Sequence, residues 1–501
     1  MTFHGRIAHD AACEILMEQI NRKITIGVAW NFVSILLSRG SSTVFTLFLA
    51  RLLAPEAFGL IAMMTIVIEL AQYLVRSGLG QALIRSKVVS DDDLSTIFYT
   101  NLGFSLLAYT GLYAGAPLLA DFYSQPDLIG LLRVMGLVVF INAMTVVPIA
   151  ILSRAMDFRS QMIATISGVL LSGVVAVTLA WQGAGVWSLV VQTMVSTSVS
   201  ALVIWHITPW VPRWVFSTES FRRLFGFGVN LLVTGIIRIL VENSQVIAIG
   251  RLFGAEVTGL YFFARKLSEL ISRQISGAVQ KATYPAMASL QDDNALLRHK
   301  YRQIIQVKMF IIAPIMALLA ALAEPLFDVL LGDKWSGAVV YMRLLCIVAT
   351  LYPLHLMNIN VLNVKGRSDL VLKIGLFKNA TTLMFLFAAI PYGVFWIVVG
   401  QVVNAFVSLI PNTYFTRKLI DYGLKQQLLD IAKPLASAAI AGVAAFFITQ
   451  AVEWPQLALI VLGSSIGIAM FLLASMVLKV EALQMLWSKK RSLLNITQKN
   501  Y

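Results

Sequence analysis

The chain has 501 residues, 58% of them hydrophobic and only 13% charged, with a mean hydropathy of +0.80. A soluble domain is about half apolar and about a quarter charged, so a soluble fold could not hide this much apolar surface. The formal charge of +14 does not point to nucleic acid, because that function needs a basic face on a soluble domain and the sequence offers no such domain.

Residues 1–23, MTFHGRIAHDAACEILMEQINRK, mix acids, bases and histidines without a continuous apolar core. They read as a short amphipathic cytoplasmic segment and not as a cleavable signal peptide. Beyond them, nearly uncharged stretches of about 20 residues, long enough to cross a bilayer as helices, recur to the end of the chain. The hydropathy predicts spans near 25–52, 57–84, 95–119, 127–152, 160–182, 185–206, 224–252, 256–280, 304–324, 337–362, 369–391, 393–415, 431–450 and 457–479. The expected fold class is an all-α polytopic membrane protein with about 14 transmembrane helices. Connections such as WQGAG (181–185) and PYG (391–393) are too short to hold a separate domain. Cys13 and Cys346 give no disulfide framework.

Lys and Arg are retained on the cytoplasmic side of a membrane protein. One set of loops carries Arg85, Lys87, Arg154, Arg159, Arg213, Arg222, Arg223, Lys281, Arg298, Lys300, Arg302, Lys365, Arg367, Arg417, Lys418, Lys425 and Lys433, whereas the alternate set offers little beyond Arg51, Arg251 and Lys334. Arg22 and Lys23 at one end and Lys489, Lys490 and Arg491 at the other fall on the basic side. Both termini are therefore expected in the cytoplasm, which requires an even number of spans. The net positive charge reads as topology, with weak binding to anionic lipid heads as a consequence.

The sequence repeats itself. RLLAPEAFGL at Arg51 and RLFGAEVTGL at Arg251 match at Arg, Leu, Glu, Gly and Leu, 200 positions apart, and Glu69-Leu70 matches Glu269-Leu270 at the same offset. One residue out of step, Asn31 and Arg39 match Asn230 and Arg238. Farther on, GVWSLVVQ (185–192) matches VFWIVVGQ (394–401), and Arg133 with Pro148 matches Arg343 with Pro353. Six spans separate the copies, so the repeats are parallel and related by an axis along the membrane normal. The expected organisation is a cytoplasmic segment (1–23), an N-terminal six-helix lobe (24–210), a C-terminal six-helix lobe (211–428), two additional helices (429–480) and a basic tail (481–501). Two such lobes make a central cleft that opens alternately to each side by rocking, which is the architecture of a transporter. The repeated phrase itself reads as an outer hairpin broken by Pro55 or Gly254, with Arg51 and Arg251 snorkelling to the interface.

A transport site should show as polar cost inside the hydrocarbon, where each charge costs roughly 2.5–3.5 kcal/mol on insertion scales. Basic residues in or near the spans are Arg39, Arg76, Arg133, Arg238, Arg265, Lys266, Arg343 and Lys378; the acids are Glu69, Glu242 and Glu269. A cavity lined by them would be net cationic and suit an anionic substrate. Arg238 with Glu242 and Arg265 with Glu269 stand one turn apart and either neutralise each other or contact substrate. Arg133, Arg343 and Arg76 lie within snorkelling reach of a surface. Arg39 and Lys378 are deep in their spans with no carboxylate one turn away, although a bridge from Arg39 to Glu69 remains open, and Lys266 points into the cavity or toward lipid. The three glutamates are candidate proton carriers, with ion pairing to the arginines as the simpler role.

No catalytic constellation is legible. The five histidines have no metal-ligand spacing with one another or with a cysteine, and no phosphate-binding GxxxxGK[ST] loop is present. Asp328 and Asp333 in EPLFDVLLGDKW read as an ordinary interfacial turn. A non-enzyme without cofactor or metal is expected.

The run NFVSILLSRGSSTVFTLFLARLLAPEAFGLIAMMTIVIELAQYLVRSGLGQALIR, with LYFFARKLSELISRQISGAVQKATYPAMASLQDD, resembles the Wzx-type oligosaccharide flippases of the polysaccharide transporter family. Within it the chain is similar to the colanic-acid-type branch, part of the superfamily of multidrug, oligosaccharidyl-lipid and polysaccharide exporters. The resemblance covers nearly the whole chain. It implies fourteen helices in two lobes in a Gram-negative inner membrane, and transfer of undecaprenyl-pyrophosphate-linked oligosaccharide units to the periplasmic leaflet. The partners it implies are that lipid-linked oligosaccharide, membrane lipids, and the polysaccharide polymerase and export machinery. It also implies a cationic cavity for pyrophosphate, a role that falls on Arg39 and Arg238, with Arg265, Lys266, Lys378 and Arg76 as further candidates.

Three alternatives remain at the level of sequence. A cation-coupled drug exporter would prefer an acidic or apolar pocket and usually lacks the last two spans. A polysaccharide polymerase or ligase would need a large outer loop with catalytic groups. A lipid II flippase shares the span plan and the cationic cavity, and is set apart only by the motif resemblance.

Overall fold

The computed structural model describes residues 37–76, 79–86, 89–225, 229–452 and 454–485. The expected cytoplasmic segment 1–23, the start of the first span and most of the basic tail lie outside the described residues. Helices dominate, and no strand occurs among the described residues. In chain order they are α1 (37–52), α2 (Pro55–Arg76), α3 (Leu79–Arg85), α4 (Asp91–Tyr123), α5 (Leu128–Met135), α6 (Leu137–Arg154), α7 (Phe158–Trp181), α8 (Trp187–Ile207), α9 (Thr218–Phe225) and α10 (Val229–Glu242). There follow α11 (Ser244–Ala288), α12 (Asn294–Ala321), α13 (Ala323–Leu330), α14 (Ala338–Val364), α15 (Ser368–Ala389), α16 (Val394–Val407), α17 (Leu409–Ile420), α18 (Leu424–Ala451) and α19 (Gln456–Val477).

Among the described residues twelve helical stretches are long and apolar enough to cross a bilayer, which makes this a multi-pass membrane protein. Each corresponds to one expected span. Within the first and the seventh expected spans the described residues include the shorter helices α1 and α10, which do not meet that criterion, so the structure does not confirm the count of fourteen. Within the expected second span, 57–84, the described residues form α2 and α3, and residues 77–78 between them lie outside the description.

The helix breaks fall where the repeated phrase places them. Helix α1 stops at residue 52 and α2 starts on Pro55, whose missing N–H costs nothing at a helix start. In the second copy Gly254 takes φ 84° and ψ 178° inside α11, so this 45-residue stretch is two helices joined at a residue without a Cβ. Pro148 and Pro353, the other matched pair, both lie buried inside helices α6 and α14. Neighbouring helices and local adjustments make such prolines tolerable within a membrane.

The chain packs as two compact units. The first runs through Asn243 and takes back Gly250–Ala255; the second takes Ser244–Ile249 and resumes at Glu256. The core of the first is built by Met63 and Met64 of α2, Leu128 and Leu131 of α5, and Val139 and Ala143 of α6. There α7 meets α8 at Gly168, where an added Cβ would stand 2.3 Å from Ser200 Oγ and 2.5 Å from the Ser196 carbonyl. Small residues allow this approach, and in lipid close packing replaces the hydrophobic drive.

The second unit centres on Tyr301, Ile305 and Met309 of α12 against Leu354, Met357 and Val361 of α14 and Ile431 of α18. Helices α18 and α19 join it through Ala438, Ala441 and Phe471, which pack on Phe310 and Ala313.

Candidate functional site

In the second unit the chain places Tyr261, Arg265, Glu269 and Arg273 four residues apart along α11, a spacing that makes a slowly turning stripe on one side of a helix. Arg265 Nε donates to Glu269 Oε1 at 2.9 Å, and Arg273 Nε stands 3.1 Å from Glu269 Oε2. One carboxylate is thus shared by two guanidiniums, leaving the stripe net positive. Above Arg265, the buried Tyr261 hydroxyl accepts a 2.8 Å bond from Gln401 Nε2. Below Glu269, the Arg273 guanidinium lies 5.4 Å from the centre of the Tyr352 ring. The Arg265 side chain is 18% exposed, and charges act more strongly in such an enclosed place than in water. Fixed cations of this kind can replace part of the hydration of an anionic group.

The other expected site residues are arranged differently. Lys266, next to Arg265 but rotated off the stripe, is exposed. Lys378 is half-buried on α15 and lies within electrostatic reach of His355. His355 itself is fixed by a 3.0 Å bond to the Ala405 carbonyl and a 2.8 Å bond to Asn412.

In the first unit Arg39 is exposed on α1. The Arg238–Glu242 pair is longer, at 3.4 Å, and both side chains are about half exposed. Glu69 is exposed and accepts from Asn243 Nδ2 at 3.5 Å, so the partner seen for it is an asparagine and not Arg39. Arg76 ends α2, and its side chain lies outside the described residues. The arginines expected near the interfaces each have a local partner. Arg133 lies over the Tyr113 ring at 4.3 Å, Arg251 bonds Ser124 at 3.1 Å, and Arg343 pairs with Glu324 at 3.1 Å.

Asp328, on α13, has its carboxyl pushed up by partial burial and by the neighbouring Asp333 and Glu324. No nucleophile or base is arrayed with it among the bonds seen.

Two residues escaped the sequence reading. Arg273 was legible as i+4 from Glu269 and was passed over. Lys308, on α12, is fully buried and its Nζ has no hydrogen-bond partner among the described residues. Its signal was its place five residues into the apolar run IIQVKMFIIAPIMALL, which a count of loop charges overlooks.

Comparison with known proteins adds the family. Residues 48–340 match the family described as polysaccharide biosynthesis protein. The chain is 29% identical to the succinoglycan biosynthesis transport protein ExoT of Rhizobium meliloti over 64% of this chain and 65% of that one, just under two thirds of the relative's length. It is 26% identical to the teichuronic acid biosynthesis protein TuaB of Bacillus subtilis, over 76% of this chain and 80% of the relative. With the lipopolysaccharide biosynthesis protein WzxC of Escherichia coli it shares 24% identity over 83% and 85% of the two chains. Among solved structures, an inward closed conformation of the lipid II flippase MurJ superposes with a TM-score of 0.72 at 10% identity, covering 90% of this chain and 98% of that one. An inward-facing multidrug resistance transporter of the MATE family gives 0.58 at 18% identity, over 75% and 95%. These two likenesses establish the transporter fold, and since the family match takes in more than half of the sequence, the chain belongs to the polysaccharide biosynthesis protein family.

Proposed function

We propose that this protein moves undecaprenyl-pyrophosphate-linked oligosaccharide repeat units across a bacterial inner membrane, for exopolysaccharide, capsule or O-antigen synthesis, by alternating access through a cationic cavity. The observation that carries the reading is the α11 stripe, in which Arg265 and Arg273 outnumber the single carboxylate of Glu269. The names of the relatives, each a polysaccharide or lipopolysaccharide biosynthesis or transport protein, support it. A pyrophosphate needs several fixed cations to replace its hydration, while its lipid tail stays in the bilayer. Release follows when the site opens to water and those contacts weaken.

Arg265 and Arg273 are assigned to the pyrophosphate, with Arg39, Arg238, Lys266, Lys378 and Arg76 as further contacts. Glu269 orients the two arginines, and Glu69 and Glu242 balance charge. Both termini lie in the cytoplasm, and the chain performs no covalent chemistry.

The test is the leaflet distribution of the lipid-linked oligosaccharide in cells lacking the protein, complemented with wild type, Arg265→Ala or Arg39→Ala at equal membrane abundance. Wild type should restore outward transfer and Arg265→Ala should leave the intermediate on the cytoplasmic side. Normal crossing without the protein, in cells with no second flippase, would refute the reading.

A further inference from the structure

Ser272 lies on α11 between Glu269 and Arg273, and its hydroxyl departs from the local habit. Serine and threonine hydroxyls inside helices commonly bond a carbonyl of their own preceding turn. Ser268 does so to the Arg265 carbonyl at 3.0 Å, and Thr283 to the Val279 carbonyl at 2.8 Å. The buried Ser272 hydroxyl instead crosses to α14 and donates to the Ala349 carbonyl at 2.6 Å. The ordinary helical donor to that carbonyl would be the N–H of residue 353, which is Pro353 and has none. We propose that Ser272 is a positioning residue for anion binding at the α11 stripe, because its bond to the carbonyl freed by Pro353 fixes the rotation of α11 against α14.

Three contacts set one register between the two helices. After Ser272 with Ala349, the Arg273 guanidinium lies 5.4 Å from the centre of the Tyr352 ring, and two turns on Gln280 Nε2 donates to Asn360 Oδ1 at 2.8 Å. The charged side chains are too open to hold the helix themselves, Arg273 being 49% exposed and Glu269 35%. Ser272 is the buried bond that adjoins them. Its anchor is firm, since just past Pro353 the His355 ring bonds the Ala405 carbonyl of α16 at 3.0 Å and Asn412 of α17 at 2.8 Å. A turn of α11 by one residue, about 100°, would carry Arg273 off Tyr352 and aim the stripe elsewhere.

The inference rests on the reading that the stripe takes pyrophosphate. Fixed cations serve an anion well only when the residues behind them hold the productive geometry. Without the bond, α11 samples other rotations, and the apparent affinity falls in proportion to the share of molecules in which the array is competent.

The experiment titrates the purified full-length protein in detergent with farnesyl pyrophosphate as the probe and farnesol as the uncharged control, recording a dissociation constant and a thermal midpoint for each variant. Wild type should bind the pyrophosphate and not the alcohol, and Arg265→Ala should weaken that binding. Ser272→Ala should weaken it about fivefold, the bias that one hydrogen bond can hold, and should lower the midpoint. Pro353→Ala returns a backbone N–H to Ala349 and leaves the second lone pair of that carbonyl for Ser272. On this background Ser272→Ala should again weaken binding about fivefold while the midpoint barely changes, a split that a merely structural serine would not produce. Binding that recovers together with the midpoint in the double variant overturns the proposal. So does a Ser272→Ala protein that binds like wild type while Arg265→Ala binds weakly, and the stripe assignment survives both results. Equal binding by wild type and Arg265→Ala refutes the stripe assignment itself, and the proposal with it. If Ser272→Ala alone does not fold, the comparison on the Pro353→Ala background decides.

Discussion

Asn358 and Gln427 exchange both of their side-chain amide hydrogen bonds, each at 3.0 Å, in the interior of the second unit. Thr416 donates to the same Asn358 oxygen at 2.7 Å and Tyr301 donates to Gln427 at 3.4 Å, and all four side chains are fully buried. The pair ties α14 to α18. Removing one member takes a bond from each amide atom of the other, which keeps its second partner (Leu354 and Thr416 for Asn358, Tyr422 and Tyr301 for Gln427), at about 0.5–1.5 kcal/mol for each bond lost. Gln427→Leu and Asn358→Leu should each lower the thermal unfolding midpoint in detergent, and the double variant should lose less than the sum. Additive losses would mean that the two amides are not coupled.

A second stability prediction concerns Gly168. The Cβ of Gly168→Ala would meet the Ser196 carbonyl at 2.5 Å, and that atom belongs to backbone and cannot swing aside. Helices α7 and α8 must then part, at a cost of about 1–3 kcal/mol. Membrane abundance and thermal midpoint should both fall, while an alanine at Gly111, where nothing lies within 4 Å of the added atom, should be tolerated.

Tyr422 gives a pH dependence. Burial, and its hydrogen bond to Asp430, push its phenol up from the ordinary 10.0. Below that value the folded and unfolded chains both keep the proton, and Tyr422→Phe should cost a constant amount, about 1.5–3 kcal/mol for a bond to a charged group. As pH rises past 10 the unfolded chain loses its proton first, so wild-type stability falls with pH. The gap between wild type and Tyr422→Phe should therefore close. Thermal midpoints of both proteins from pH 7 to 11 check this, and a gap that stays constant would contradict it.

The fold was legible where helices punctuate themselves. Pro55 and Gly254 each cut an apolar run in the repeated phrase, and both cuts are present in the structure. The candidate site was legible as far as helical periodicity reaches: the Arg265–Glu269 pair follows from a spacing of four. Contacts between distant segments were not, because sequence carries no distance across helices. Glu69 beside Asn243, 174 positions away, is such a case. So is the burial of Lys308, which depends on how α12 is covered by its neighbours.

Glu269 separates two roles for an intramembrane carboxylate. As the shared partner of Arg265 and Arg273 it positions both guanidiniums. Glu269→Gln keeps a hydrogen-bond acceptor and removes the charge, so transport should be altered in rate by a factor of a few, and an imposed pH gradient should act on the variant as it acts on wild type. If Glu269 instead carries a coupling proton, the gradient would drive flux in wild type and not in the variant. Flux of lipid-linked oligosaccharide in membrane vesicles, measured against an imposed pH gradient, distinguishes the two.

Lys308 poses the opposite problem, a cation whose Nζ has no partner among the described residues in a closed interior. An unpaired buried ammonium is costly, and an ionisable residue kept inside the membrane points to function. Lys308→Met fills nearly the same volume without the charge. The variant should unfold at a higher temperature, by the equivalent of about 1 kcal/mol or more. Its transport should nevertheless fall, because stability sacrificed at this position is then being exchanged for activity. A variant that is both more stable and fully active would show that Lys308 takes no part in transport, and one that is less stable would show that its ammonium has found a partner within the fold.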